Sequence, residues 1–343
     1  MLKTILRLLL YPLSFLYGLT TTLRNYLYDT NIFNTNKLPC KVISIGNITT
    51  GGSGKTPTVE FLALYLQSIG KDVGIVTRGY GRSSKHIKLV TDGYDKPNSW
   101  EQYGDEAFLL SQNLNSIPII VGESKYEAGL KITSEFDLDV IIMDDGFQHR
   151  SLHRDLDIVL INSRDNQRTH KLLPIGNLRE RVSGLKRADL IIYTKTNVHN
   201  NLTYLNRLLK NVHIEKINSM LKTKSMLIGK DKQEIDQADI KSKNIYLLSA
   251  IGDNKGFKKT VEKIGVNIVG HSKFIDHFKF KISDLQRAQK DAKKVGANYI
   301  ITTEKDLVKI PDINLEIPVC ALKTEIHFSP ASKLKDKINS LFV

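Results

Sequence analysis

Cysteine is scarce in this sequence, which excludes a disulfide framework and a cysteine-based metal cluster. Cys40 and Cys320 lie far apart in 343 residues, and neither has partners at metal-ligand spacing. Two isolated thiols are typical of a chain that folds in a reducing compartment. Both are therefore expected to be packing residues.

The sequence also lacks internal repeats, low-complexity segments and an apolar run long enough to span a membrane. The uncharged run at residues 8–23 would rise about 24 Å as a helix, short of a hydrocarbon core of roughly 30 Å. Hydrophobic content of 41% and charged content of 25% are ordinary for a globular protein. Composition therefore excludes a disordered chain and a polytopic membrane protein.

Acidic residues are outnumbered by basic ones, and the formal net charge is +14. Such an excess suits an anionic partner, which can be nucleic acid, a phosphorylated substrate or an acidic membrane surface. No aromatic-basic recognition motif accompanies the charge. Nucleic acid is therefore not expected as a partner.

Residues 41–56 have the layout of a phosphate-binding loop. A β-branched run at 42–45 predicts a buried strand, a glycine-rich loop follows, and Gly-Lys-Thr at 54–56 opens a helix. The loop's N–H groups surround phosphate oxygens, the lysine reaches the β- and γ-phosphates, and the threonine ligates Mg²⁺. Thr49 stands where a first glycine is usual, which Gly51 and Gly52 partly compensate. The order of elements favours nucleotide binding over a chance glycine-rich turn.

Two acidic pairs are candidates for metal and proton chemistry. Asp144 and Asp145 end an apolar strand about 90 residues after the loop, as in a Walker B element, although adjacent aspartates also simply mark turns. Asp105 and Glu106 open a predicted helix, where the helix dipole favours carboxylates whatever their function. Their functional interpretation is a base and a Mg²⁺ ligand, and spacing alone does not separate the two.

Basic loops follow two of the predicted strands. Residues 78–82 read Arg-Gly-Tyr-Gly-Arg, which either binds phosphate at the carboxyl edge of the sheet or forms a basic surface turn. Arg179, in the loop at 172–181, is placed to neutralise phosphate charge.

Residues 1–30 are expected to form a membrane-surface helix. Pro12 and Gly18 weaken a continuous span, while Lys3, Arg7 and Arg24 suit anionic headgroups. Apolar residues occur on all sides of the helix, which favours membrane contact over docking on the protein's own core. A cleaved signal peptide is the rival interpretation, but no small-residue cleavage site follows the apolar run.

Strands that alternate with helices predict an α/β fold of the P-loop NTPase type, a doubly wound, mainly parallel sheet with helices on both faces. A P-loop domain is expected at 31–200, a polar linker at 201–243, and a second, smaller α/β domain at 244–343. Within the latter, 299–306 read as a strand ending in Thr-Glu-Lys-Asp, where an interdomain or structural role and a catalytic one are equally supported.

Five motifs together resemble the tetraacyldisaccharide 4′-kinase family, the lipid A 4′-kinases of Gram-negative bacteria. They are Gly46-Asn-Ile-Thr-Thr-Gly-Gly-Ser-Gly-Lys-Thr-Pro57, Thr77-Arg-Gly-Tyr-Gly-Arg82, Gly104-Asp-Glu106, Asp144-Asp-Gly-Phe-Gln-His-Arg150 and Leu173-Pro-Ile-Gly-Asn-Leu-Arg-Glu180. The resemblance extends from the N-terminal helix nearly to the C-terminus.

The resemblance implies a kinase at the cytoplasmic face of the bacterial inner membrane. It would transfer the γ-phosphate of ATP, with Mg²⁺, to the 4′-hydroxyl of tetraacyldisaccharide 1-phosphate, giving lipid IVA in lipid A and lipopolysaccharide biosynthesis. A lipid A disaccharide precursor and an anionic membrane surface account for the apolar N-terminus and the positive charge. No protein partner is expected.

The resemblance also implies roles for individual residues. Asp105 falls on the position of the catalytic base and His277 on that of its assistant, whereas outside the family a lone surface histidine beside Asp276 is the simpler interpretation. Lys55 would contact the transferred phosphate. The metal would be held by Thr56, Glu106, Asp144 and Asp145, and the nucleotide by Thr50, Gly51, Gly52, Ser53, Gly54, Lys55, Thr56, Lys125, Gln148 and Arg179.

Three positions depart from the family pattern. Lys125 replaces the usual arginine and so loses its bidentate fork, Asn177 replaces a proline, and Phe278 replaces a second histidine. The alternative function is a membrane-associated P-loop ATPase or switch without a lipid acceptor. That alternative leaves the Gly-Asp-Glu and Asp-His elements, which fall in different predicted domains, unexplained.

Overall fold

The computed structural model describes residues 2–229 and 233–343. In these ranges nine α-helices and thirteen β-strands alternate along the chain. The helices are α1 (Leu2–Asp29), α2 (Lys55–Ser68), α3 (Asp105–Asn113), α4 (Lys125–Glu135), α5 (Leu202–Leu208), α6 (Asn254–Glu262), α7 (Ile282–Lys294), α8 (Glu304–Leu307) and α9 (Ala331–Asn339). The strands are β1 (Lys41–Asn47), β2 (Val73–Thr77), β3 (Lys88–Thr91), β4 (Ile119–Val121), β5 (Val140–Asp144), β6 (Leu156–Asn162), β7 (Leu190–Thr194), β8 (Lys216–Gly229), β9 (Glu234–Asp236), β10 (Asn244–Ser249), β11 (Asn267–Lys273), β12 (Tyr299–Thr303) and β13 (Val319–Ser329).

One sheet runs through the described part of the chain. Its strand order is β11-β10-β12-β13-β8-β7-β6-β1-β5-β2-β4-β3, and β9 pairs with β8. Pairing is parallel except between β3 and β4, β8 and β13, and β8 and β9. The sequence-based expectation of a mainly parallel α/β sheet is therefore confirmed.

Helices cover both faces of this sheet because the central strands are apolar on both sides. Ile43 and Ile45 of β1 join a cluster with Val59 and Leu62 of α2. Val42 points the other way and joins a separate cluster. Near-continuous apolar strands of this kind are typical of parallel sheets buried on both faces. This burial places the carboxyl ends of β1, β2, β5 and β6 at one edge, where the loops that follow can form a site.

The region at 201–243, expected as a linker, contains α5, β8 and β9 in its described part. The start of β8 pairs with β7, and most of its length pairs with β13. Because β13 also pairs with β12, these two long strands connect the N-terminal and C-terminal halves in one sheet. The division of the chain into domains remains a prediction.

Helix α1 is attached to the rest of the molecule through polar contacts. Ser14 Oγ donates to the carbonyl of Leu172 at 3.0 Å, and the Tyr17 hydroxyl donates to the carbonyl of Arg179 at 2.7 Å. The outward side is apolar: exposed residues of α1 include Tyr11, Leu13, Phe15, Leu16, Leu19, Leu23 and Tyr26. The side chains of Lys3 and Arg7 lie outside the described residues. In the described ranges, no helix combines the length and the apolar character needed to cross a membrane.

Candidate active site

The phosphate-binding loop lies between β1 and α2 and takes its shape from glycines. Gly51 and Gly54 have positive φ angles of 99° and 88°, a conformation that other residues rarely adopt. Gly54 immediately precedes α2, so Lys55 and Thr56 form the first helical turn. The N–H groups of a first turn have no partner within the helix, and the helix dipole is positive there. Loop and helix start together make an anion-binding site.

Neighbouring segments hold this loop in place. The main-chain N–H of Thr50 donates to the carbonyl of Asn177 at 2.8 Å. The hydroxyl of Thr194, at the end of β7, donates to the carbonyl of Ser53, also at 2.8 Å. Asn177 makes this contact through its main-chain carbonyl. The contact therefore does not require the proline that is usual at this position. Hydrogen bonds from neighbouring segments therefore fix the conformation of the loop.

The carboxyl end of β5 delivers two aspartates with different environments. Asp145 has a φ of 52°, uncommon for a residue other than glycine, and both its oxygens accept from Arg179 Nη1 at 2.8 and 2.9 Å. Lys55 Nζ lies 3.5 Å from Asp145 Oδ1. Burial alone would raise the pKa of Asp145, but Lys55 and Arg179 hold it well below its usual range.

Asp144, in contrast, is buried and accepts from the hydroxyl of Thr77 at 2.9 Å. Burial and the neighbouring Glu106 raise the pKa of Asp144 to about 6. Its other oxygen, Oδ1, is buried without a hydrogen-bond partner in the described part of the chain. A buried carboxylate oxygen without a donor is a ready acceptor for a cation.

Asp105 and His277 come together from opposite halves of the chain. His277 Nδ1 lies 3.0 Å from Asp105 Oδ2 and 3.2 Å from Oδ1. The imidazole packs against the Tyr80 ring, with ring centroids 4.4 Å apart and the ring planes tilted by 50°, and His277 has a positive φ of 60°. Burial would raise the pKa of Asp105, but the hydrogen bond from His277 and the charge of Lys305 hold it below its ordinary value.

Two lysines from the C-terminal half surround these carboxylates. Lys305 Nζ lies 2.9 Å from Glu106 Oε1 and 3.2 Å from His277 Nε2. Lys309 is fully buried, 3.7 Å from Asp105 Oδ2 and paired with Asp306 at 2.8 Å. Burial would lower the pKa of Lys305, but Glu106 and Asp105 raise it above its ordinary value. The Thr-Glu-Lys-Asp motif thus contacts Glu106 directly through Lys305, and Lys309, three residues after the motif, contacts Asp105.

A cavity of about 480 Å³ lies between the phosphate-binding loop and the C-terminal half. This volume is in the range of small-molecule sites. The predicted site residues that line it are Thr50, Gly51, Gly52, Ser53, Gly54, Lys55, Thr56, Glu106, Asp145, Arg179 and His277. The C-terminal half adds Ile251, Gly252, Asp253, Phe257, Asp276 and Lys305. Residues more than 200 positions apart therefore line one cavity.

Other predicted site residues lie behind the cavity wall. Asp105, Asp144 and Lys125 are almost completely buried. Lys125 Nζ donates to the carbonyl of Val76 at 3.4 Å, and burial lowers its pKa to about 8. Gln148 uses its amide to donate to the carbonyl of Asn47 and to Glu180, both at 2.9 Å. Nucleotide contact by Lys125 and Gln148 remains a prediction.

A cluster of charged residues around Asp253 joins the two halves beside the phosphate-binding loop. Asp253 caps the start of α6, and its Oδ1 lies 3.3 Å from Arg164 Nη1. Its Oδ2 lies 3.3 Å from Lys195 Nζ and 3.0 Å from His199 Nε2. Burial would raise the pKa of Asp253, but the hydrogen bond from His199 and the charge of Lys195 hold it well below its usual range.

Sequence reasoning missed this cluster and the direct contacts of Lys305 and Lys309. The Thr-Glu-Lys-Asp motif was a usable signal, since charged residues follow the strand β12 there. No local pattern marks Arg164, Lys195 or His199. The departure at Phe278 is explained: its ring packs against Phe274 at a centroid distance of 4.6 Å, within an aromatic group at the core.

Comparison with known proteins gives consistent results. A family model described as tetraacyldisaccharide-1-P 4′-kinase matches residues 6–342. A tetraacyldisaccharide 4′-kinase of Aquifex aeolicus is 34% identical over 337 residues, covering 98% of this chain and 99% of that protein. One from Syntrophus aciditrophicus is 35% identical, covering 94% and 90%.

The fold is also similar to a solved structure, described as the apo form of LpxK from Aquifex aeolicus in complex with ATP. The TM-score is 0.78 at 32% sequence identity, covering 98% of this chain and all of the other.

Proposed function

The chain belongs to the tetraacyldisaccharide-1-P 4′-kinase family, and from this membership we propose which of its residues carry out the reaction. It is an ATP-dependent lipid A 4′-kinase, a phosphotransferase of lipid A biosynthesis. It phosphorylates the 4′-hydroxyl of a tetraacylated disaccharide 1-phosphate. The alternative function, a membrane-associated P-loop ATPase or switch without a lipid acceptor, is not favoured.

The observation that carries the proposal is the contact between Asp105 and His277 beside the phosphate-binding loop. We assign Asp105 as the base that accepts the proton of the 4′-hydroxyl while its oxygen attacks the γ-phosphorus. The bond from this phosphorus to the bridging oxygen breaks, and ADP leaves with the electron pair. His277 orients the carboxylate. Lys55 at the helix start stabilises charge on the transferred group.

The residues at the end of β5 fit a Mg²⁺ ion. Oδ1 of Asp144, which has no hydrogen-bond partner among the described residues, is a carboxylate oxygen of the type that Mg²⁺ binds. Asp145, Glu106 and Thr56 line the cavity. Among the described residues, no three acidic, histidine or cysteine side chains already form a ligand cluster. Mg²⁺ commonly combines one or two carboxylates with waters and nucleotide oxygens. When bound, it would neutralise charge on the phosphates.

Helix α1 is proposed as the contact with the cytoplasmic face of the bacterial inner membrane. Its polar side chains contact the loops at 145–150, through Arg24, and 172–180, through Ser14 and Tyr17, while its outward side exposes large apolar residues. Phe15 and Leu16 are 63% and 56% exposed. An apolar stripe of this kind enters the boundary between headgroups and acyl chains. It would bring the site to a substrate whose acyl chains stay in the bilayer.

The experiment that tests the proposed residues measures transfer of labelled γ-phosphate from ATP to tetraacyldisaccharide 1-phosphate in detergent with Mg²⁺. Wild type, Lys55→Ala and Asp105→Asn are compared at equal protein concentration. Labelled lipid from wild type alone supports the assignments. Full turnover by either variant removes that residue from its role, and ATP hydrolysis without labelled lipid would favour the ATPase.

A further inference from the structure

Lys305 reaches into the site from the C-terminal half of the chain. It lies in α8, lines the cavity, and has an 18% exposed side chain. Its Nζ contacts Glu106 Oε1 at 2.9 Å and His277 Nε2 at 3.2 Å, whereas Asp276 Oδ1 is 3.9 Å away. One ammonium group therefore contacts both Glu106 on α3 and the imidazole of His277.

The contact with His277 fixes the direction of a hydrogen bond. A lysine ammonium has three hydrogens and no acceptor, and it is charged at neutral pH. Nε2 of His277 must therefore accept with its lone pair. A neutral imidazole whose Nε2 carries a lone pair has its proton on Nδ1.

The other side of the ring agrees with this assignment. Nδ1 lies 3.0 and 3.2 Å from the two oxygens of Asp105, which as a carboxylate is an acceptor only. Hydrogen bonds thus run in one direction, from Lys305 to His277 to Asp105. We propose that Lys305 is a positioning residue that holds His277 in the tautomer protonated on Nδ1, so that the imidazole can only donate to Asp105.

The surroundings of His277 show why Lys305 is needed for this. Asp276 Oδ1 lies 3.9 Å from Nε2 and is a carboxylate, which would favour a proton on that nitrogen. The Tyr80 ring covers one side of the imidazole and gives no directional preference of this kind. Without the ammonium, the ring is free to place its proton on Nε2. Nδ1 would then present a lone pair to Asp105, and the carboxylate would lose its donor.

The inference deepens the proposed function, since a correctly oriented Asp105 matters because it is the proposed base. A carboxylate that accepts from Nδ1–H keeps further lone pairs for the 4′-hydroxyl proton. The imidazole keeps its own proton throughout. Lys305 therefore acts through His277 and does not exchange protons in the transfer.

The test reads the tautomer directly by NMR of full-length protein labelled with ¹⁵N-histidine, without nucleotide or metal. Long-range ¹H–¹⁵N correlations distinguish a ring protonated on Nδ1 from one protonated on Nε2, and His277→Gln assigns the signal. Lys305→Met removes the charge at similar length, whereas Lys305→Arg keeps a group that only donates. Lys293→Met is the matched control, because Lys293 pairs with Glu316 at 2.6 Å on the exposed surface of the same half.

We expect the Nδ1-protonated pattern in wild type, Lys305→Arg and Lys293→Met, and its loss in Lys305→Met. We expect kcat to be unchanged for Lys293→Met and partly kept for Lys305→Arg. For Lys305→Met it should fall roughly 10- to 100-fold, a loss typical of residues that orient a functional side chain without touching the substrate.

A wild-type ring protonated on Nε2 overturns the proposal, and this outcome does not depend on the folding of any Lys305 variant. An unchanged ring in Lys305→Met with reduced kcat also overturns it, because Lys305 would then act through Glu106. Wild-type turnover by Asp105→Asn would instead contradict the proposed base and leave the tautomer result standing. The two failures are thus distinguishable.

Discussion

His277 Nδ1 lies 3.0 Å from Asp105 Oδ2, although 172 positions separate the two residues in the chain. Asp105 opens α3 in the N-terminal half, and His277 follows β11 in the C-terminal half. The proposed base therefore exists in its oriented form only when both halves are folded and in contact. This arrangement makes the proposed chemistry depend on the contact between the two halves of the chain.

The first prediction concerns the Asp105 and His277 pair. Asp105→Asn should lower kcat about 10²- to 10⁴-fold, because the amide cannot accept the hydroxyl proton. His277→Gln should lower kcat less, since it removes only the orienting donor. If His277 acts through Asp105, the double variant should be no slower than Asp105→Asn alone. The measurement is kcat from labelled phosphate transfer.

The control for this pair is His327→Gln, which changes an exposed histidine beside Glu325, away from the cavity. It should turn over like the wild type. Additive losses in the double variant would contradict the orienting role and show that His277 contributes independently.

The second prediction concerns Lys55, whose ammonium lies 3.5 Å from Asp145 Oδ1. Lys55→Met should lower kcat by about 100-fold or more, because a charge aimed at the transferred group is lost from an enclosed site. Lys41→Met is the control: Lys41 pairs with Asp155 at 3.4 Å at the opposite end of β1. A higher KM with unchanged kcat in Lys55→Met would show that Lys55 only binds ATP.

Much of the fold and part of the site could be predicted from the sequence. Continuous apolar strands such as 140–144 and the glycine-rich loop before Lys55 are local signals, and the structure places both as expected. The strand β8 was not predicted, because Lys222, Thr223, Lys224 and Ser225 form a polar run in its middle and give the segment a polar composition. Its pairing with β13 is set by tertiary contact rather than by local propensity.

Contacts across the chain were the least predictable feature. Lys305 and Glu106 are 199 positions apart, and no local pattern specifies their 2.9 Å contact. The resemblance to a family supplied Asp105 and His277, whereas composition and spacing alone left both open. Sequence motifs thus identify the chemistry of each segment, and only the fold shows which segments meet.

The third prediction concerns the apolar outward side of α1. The double substitution Phe15→Ser/Leu16→Ser should weaken binding to anionic phosphatidylglycerol vesicles by about tenfold or more, because two exposed apolar side chains would no longer enter the membrane boundary. Vesicle flotation measures the bound fraction. Tyr94→Ser is the control, since Tyr94 is 76% exposed on a distant turn. Equal binding by all three proteins would contradict membrane contact through this side of α1.

The fourth prediction concerns the ion cluster around Asp253. Asp253→Asn keeps a good cap for α6 but removes the negative charge that Arg164 and Lys195 contact on this side chain. Loss of a buried partner should cost about 2 kcal/mol at neutral pH, which corresponds to a melting temperature lower by about 3 °C. Glu262→Gln, at an exposed pair with Lys258 on the same helix, should cost less than about 0.5 kcal/mol.

The pH dependence of this effect follows from the sign of the shift. The pKa of Asp253 is lowered in the folded protein, so its contribution to stability is complete above the unfolded-state value of about 4. The contribution is lost as the pH falls from there toward the folded value, because protonation then occurs first in the unfolded chain. The difference in melting temperature between wild type and Asp253→Asn should therefore be constant from pH 8 to 6 and shrink below about pH 4. A difference that stays constant down to pH 3 would mean that the cluster does not stabilise the ionised carboxylate.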